Sequence, residues 1–240
     1  MFKNYLQDSI NLIKLNYKNK KEVINMKNFA WGTESFNDKP IYVVLFVARN
    51  KDNSHIEGFS ERYRRVSFIT HEEWNSESLK TKFKHFVEDG KPGEFCRMYY
   101  SVNERDSVKI HKALLHFIIE EPNFNLCSIA PKLAGIAAQK ECAKSKHWMF
   151  DFDIDDIEKA KEFCAEVEAI KSRNKDDKPV KTEIRKTPHG YAIITDRGFD
   201  LRELNTDKWG NVASEHNDKG VTLKRDDLLC VAWATNTKEN

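Results

Sequence analysis

The sequence predicts an α+β fold, a mixed central β-sheet flanked by helices, and two observations predict it. Short apolar, β-branched runs of strand length recur along the chain, and segments with apolar positions at helical spacing are interleaved with them. Ile41 to Ala48 is a continuous apolar run, the pattern of a buried strand. Arg65 to Thr70 alternates and reads as a second strand. From Glu72 to Asp89, Trp74, Leu79, Phe83, Phe86 and Val87 follow a helical period that stops at Gly90 and Pro92. Phe95 to Val102 reads as a third strand. Ile110, Ala113, Leu114, Phe117 and Ile118 then share one helical face that ends at Pro122, and Leu126 to Ala143 reads as a further helix, broken or offset by Pro131.

Trp148 to Asp153 is a strand that runs into a helix with apolar positions Ile157, Ala160, Phe163, Cys164, Val167 and Ile170. Asp155 and Glu158 supply a capping-box start for that helix. A charged loop, Ser172 to Lys178, precedes a strand near Val180 to Arg185. The turn Thr187-Pro188-His189-Gly190 feeds the strand Tyr191 to Thr195, and Val221 to Lys224 and Leu228 to Ala234 close the fold. Residues 1–25 are rich in Lys and Asn, with Leu6, Ile10, Ile13 and Leu15 at amphipathic spacing. They are expected to be an extension or the product of an alternative start, because Met26 opens the segment 26–240 that reads as one domain.

With 240 residues, 40% of them hydrophobic, the chain can bury a real core. The net charge of +2 argues neither for nor against a nucleic-acid partner, because local patches decide that question. Five cysteines without any CxxC pairing suit a reduced, cytoplasmic protein. No apolar run approaches the roughly 20 residues needed to span a bilayer, so no membrane association is expected.

The chemistry centres on Asp151 and Asp153. Alternate residues of a strand share a face, so these carboxylates project together roughly 6–7 Å apart at the backbone, while Trp148, Phe150 and Phe152 take the core side. Two carboxylates on an apolar strand are costly unless something pairs them, and Mg²⁺ or Mn²⁺ would do so. The bland alternative is an exposed strand end, with Asp153 capping the helix and Asp151 meeting a basic side chain. Lys186, Thr187 and His189, on a turn where Gly190 permits close approach, are candidate phosphate contacts, against a plain hairpin with a surface His. Asp226 or Asp227 is a candidate third acid, against an ordinary Asp-containing turn. Arg97 to Arg105 mixes basic and aromatic residues as a base-stacking, phosphate-binding surface does, against the reading of Met98, Tyr100 and Val102 as core. Arg62 to Arg65 offers a phosphate track or a solvated surface.

The order of these pieces resembles the archaeo-eukaryotic primase, or primase-polymerase, superfamily over roughly residues 95–234. That superfamily carries Asp-x-Asp or Asp-x-Glu on an apolar strand, then a small residue, any residue and His at a later strand, then a further acid. Phe150-Asp151-Phe152-Asp153 matches the first motif. In the second, Ala192 stands where the family's His precedes the apolar core of the strand, and Thr187-Pro188-His189 restores the spacing if the turn re-aims the imidazole. Asp226, Asp227 and Asp200 are eligible as the third acid. The resemblance implies a primase-polymerase-like fold and a metal-dependent nucleotidyltransferase acting on nucleic acid in DNA replication. Asp151, Asp153 and Asp226 would hold Mg²⁺ or Mn²⁺, His189 would act with the two acids, and Lys186, Thr187, Arg97 and Arg105 would bind nucleoside triphosphate and nucleic acid. The Lys/Asn-rich start suits a phage or mobile-element protein working in a host cytoplasm. Two other readings stand beside this one: a non-catalytic nucleic-acid- or protein-binding factor on a degenerate scaffold of that kind, and a metal-dependent nuclease.

Overall fold

The computed structural model describes residues 39–170 and 178–238, which, Lys39 aside, belong to one compact unit, Pro40–Asn240. The expected helix within residues 1–25 and all but the last residue of the Ser172 to Lys178 loop lie outside the described residues. Eight strands are present among them: β1 (Tyr42–Val47), β2 (Arg65–Thr70), β3 (Phe95–Ser101), β4 (Trp148–Phe152), β5 (Thr182–Thr187), β6 (Gly190–Thr195), β7 (Val221–Lys224) and β8 (Leu228–Thr235). The helices are α1 (Glu77–Glu88), α2 (Ser107–Glu120), α3 (Ile129–Ala137), α4 (Ile157–Ala169) and the single turn α5 (Thr206–Trp209). None of them is long and apolar enough to cross a membrane.

The α+β class holds, but the strands form two four-stranded sheets in place of one mixed sheet. Their orders are β2-β1-β3-β8 and β5-β6-β4-β7, and every pairing is antiparallel. The partition follows from the last strand: β8 does not fold back on β7 but crosses to pair with β3, with Phe95 opposite Thr235. The second sheet has a split βαβ layout, in which β4 leads through α4 to the β5–β6 hairpin and then through α5 to β7 on the far side of β4.

Local chemistry sets the helix boundaries. Helix α1 starts at the Ser76 cap, whose hydroxyl accepts from Leu79 N, so it begins later than the apolar spacing alone suggests. Pro131 does not break a helix; it sits in the first turn of α3, where no intrahelical donor is required. The cap of α4 is Asp156, which accepts from the backbone N–H groups of Glu158 and Lys159, and the expected cap at Asp155 is corrected by one residue. Asp155 instead pairs with Lys186.

Each sheet has its own core. Phe150 and Phe152 of β4 pack on Phe163 and Val167 of α4 and on Trp209, while Val44, Phe46 and Met98 pack on Leu79, Phe83 and Phe86 of α1. The two sheets meet through a small cluster, Met149 and Ala192 from one and Leu229 from the other. At the start of β6 the backbones come close together: a Cβ added at Gly190 would lie 2.2 Å from the carbonyl oxygen of Phe152. Gly190→Ala must therefore push β6 off β4, and a loss of about 1–3 kcal/mol is expected in urea unfolding, in the range of other overpacking changes.

Candidate functional site

Because Phe150 and Phe152 are fully buried against α4, the alternation of β4 turns Met149 and Asp151 toward the other sheet, and Asp153 follows just past the strand end. Between the sheets lies a cleft of about 440 Å³ into which Asp151 and Asp153 open. The β5–β6 turn brings Thr187, Pro188 and His189 to the same cleft. The first sheet and its loops contribute Arg49, Lys51, Glu61, Arg65 and Arg97, the end of β7 adds Lys224, and the connection from β7 to β8 adds Asp227. Asp151, Asp153 and Asp227 thus come from the second-sheet side, while the first-sheet side carries Arg49, Lys51, Arg65 and Arg97 with a single acid, Glu61, which lies 3.8 Å from Arg65.

Of the residues singled out from sequence, the structure brings Asp151, Asp153, Thr187, His189 and Arg97 together. It does not bring Asp226, Arg105 or Lys186. The Asp226 carboxylate is turned inward, accepting from Arg105 Nη1 at 2.8 Å and from Asn103 Nδ2 at 3.0 Å, with both side chains of the ion pair nearly inaccessible. Of the three acids eligible from sequence, only Asp227 lines the cleft, and Arg105 is a structural cation instead of a phosphate contact. Lys186 alternates away from Thr187, pairs with Asp155 and lies over the Tyr191 ring, 4.4 Å from its centroid. Asp200, also eligible as the third acid, caps a short 3₁₀ turn by accepting from Arg202 N and pairs with the Arg202 guanidinium. Arg49, Lys51 and Lys224 were not legible as site residues, because they sit at strand ends whose neighbours depend on the packing of the two sheets. Arg65 belongs to the basic run Arg62 to Arg65, of which it alone lines the cleft.

The carboxyl of Asp151 is held above the usual carboxylate range, first by burial, then by the negative charge of Asp153 and more weakly by Asp227, with Lys224 and Lys51 opposing. Among the described residues no group of three or more His, Cys, Asp or Glu side chains is arranged as a metal cage. Asp151 and Asp153 offer hard oxygen donors to one cleft, which suits Mg²⁺ or Mn²⁺. Mg²⁺ in particular usually takes only one or two carboxylates and completes its shell with water and substrate phosphates.

No family model, curated protein or solved structure matches the chain.

Two outcomes follow from this geometry. The proton on Asp151 is bound more tightly in the folded than in the unfolded protein, so its contribution to stability is present at low pH. That contribution is lost as pH rises from the ordinary carboxylate value through the raised folded one. Asp151→Asn should accordingly raise the melting temperature of metal-free protein at neutral pH, and the gain should vanish below the carboxylate range. Asp226→Asn, by stranding the buried Arg105 guanidinium, should cost about 3–5 kcal/mol in chemical unfolding. Asp227→Asn, at an exposed position, should stay within about 0.5 kcal/mol.

Proposed function

We propose that the chain is a divalent-metal-dependent nucleotidyltransferase of primase-polymerase type, joining nucleoside triphosphates on a nucleic acid. The observation that carries this reading is the β5–β6 turn, which delivers His189 and Thr187 to the same cleft as Asp151 and Asp153. Its support is that the hairpin tip brings the His189 imidazole to the cleft although position 192 is Ala, and that Ala192, opposite Asp151, leaves the floor there uncrowded.

In this reading Asp151 and Asp153 hold Mg²⁺ or Mn²⁺, with Asp227 at the edge of the same charge cluster. Bound there, such ions supply activation of an attacking 3′-hydroxyl and neutralisation of a pyrophosphate leaving group. The chain's own groups do the rest. His189 and the Thr187 hydroxyl hydrogen-bond phosphate oxygens, while Arg49, Lys51 and Arg65 on the opposite wall offset the triphosphate charge. The excess of basic groups on the first-sheet side would draw the negative oxygens of a bound polyphosphate toward that wall.

The test is primer extension and dinucleotide synthesis with Mg²⁺ and with Mn²⁺, wild type beside Asp151→Ala. Metal-dependent extension that falls about a hundredfold or more in the variant is expected. Equal activity in the two proteins, or no extension by the wild type, overturns the assignment, and shortened primers would redirect it to a nuclease.

A further inference from the structure

Arg97 reaches the cleft from β3, yet its side chain is only 4% exposed. One guanidinium nitrogen, Nη2, donates to Asp52 Oδ1 at 2.7 Å and also to His189 Nε2 at 2.8 Å. Asp52 is itself fixed from behind. The adjoining Asn53 is fully buried, donates to the carbonyls of Arg49 and Phe95, and accepts from Phe95 N at 2.6 Å, which clamps the loop after β1 onto the start of β3. A chain of contacts therefore runs from the Asn53 clamp through Asp52 and Arg97 to the imidazole.

A guanidinium carries donors and no acceptor, so the imidazole nitrogen that meets it must present a lone pair. In neutral His189 that nitrogen is Nε2, which places the ring proton on Nδ1. Nδ1 has no hydrogen-bond partner among the described residues, and His189 is exposed where it lines the cleft shared with Asp151 and Asp153.

We propose that Arg97 is a positioning residue: with Asp52 it locks His189 in the Nδ1–H tautomer, so that the cleft is offered one fixed imidazole donor for a phosphate oxygen. The tautomer follows from the hydrogen-bond geometry alone. Only its use toward a phosphate rests on the nucleotidyltransferase reading. Arg97 accordingly acts on substrate through His189 and not by touching it, in contrast to the direct contact expected from sequence. The same logic assigns Asp52 a role that its place in a loop does not advertise: it holds the guanidinium so that the donor pointing at His189 cannot swing away.

The experiment is ¹⁵N NMR of the imidazole in full-length protein labelled at histidine, at a pH where the ring is neutral, with His189→Gln to assign its signals. The expected result is the Nδ1–H tautomer in the wild type and loss of that fixed state in Arg97→Met. Because Arg97→Met strands the Asp52 carboxylate and could fail to fold, the double variant Asp52→Asn/Arg97→Met, which removes both charges, is measured beside it. An Nε2–H or mixed ring in the wild type overturns the proposal, as does an unchanged Nδ1–H ring in a folded variant. In primer extension the variants should raise KM for the nucleoside triphosphate about tenfold with a smaller change in kcat. A wild type with the Nδ1–H ring but no nucleotide transfer would overturn the nucleotidyltransferase reading alone. Transfer with an Nε2–H ring would overturn the positioning role alone.

Discussion

The burial of Phe150 and Phe152 beneath α4 governs the rest of the second sheet. Each ring contributes about 2–3 kcal/mol by leaving water, and each meets Phe163 edge-on or tilted. Strand alternation converts that burial into a direction for Asp151. A slip of one residue in register would drive the carboxylate under the helix and put the rings in the cleft, at a cost of several kcal/mol for the buried charge alone. With β4 fixed, its neighbours are fixed too: Asp151 lies opposite Ala192 on β6 and Thr222 on β7. Both neighbouring side chains are small, and the floor around the carboxylate stays open.

The acids at the β7–β8 connection show how one ion pair can assign roles to two adjacent side chains. Asp226 is drawn inward by Arg105 and Asn103, so Asp227 takes the outward direction, and its carboxylate accepts from Leu228 N at 2.7 Å at the cleft edge. The pair is buried and therefore contributes less net stability than its Coulomb attraction suggests. Its structural effect is to fasten the connection between the sheets to the start of α2. Together with the Met149, Ala192 and Leu229 contact, this fastening keeps the two walls of the cleft facing each other.

Much of this was legible in the sequence wherever the signal was local. The aromatic and acidic alternation of β4, the apolar run of β1 and the turn at Pro188-His189 all encode their own geometry within a few residues. The stops at Gly90 and Pro122 did the same for α1 and α2. The rest depended on partners far apart in the chain. Arg105 and Asp226 are 121 positions apart and Arg97 and His189 are 92 apart, so no window of sequence distinguishes a phosphate-binding arginine from a buried one. The division into two sheets was hidden for the same reason. A strand pattern declares which face is apolar, not which strand lies alongside.

The pairing of β8 with β3 also bears on how the molecule comes together. The first sheet draws three of its strands from the stretch before residue 102 and the fourth from Leu228–Thr235, with the entire second sheet intervening. As the chain emerges during synthesis, β3 keeps an unpaired edge until everything needed for the second sheet has been made. That edge is a row of open N–H and C=O groups of the kind that recruits foreign strands. Closing it requires contacts of high sequence separation, which form slowly. The last strand is thus the latch of the first sheet, and the part of the cleft that it lines with Leu228, Leu229 and Cys230 is the last to be made.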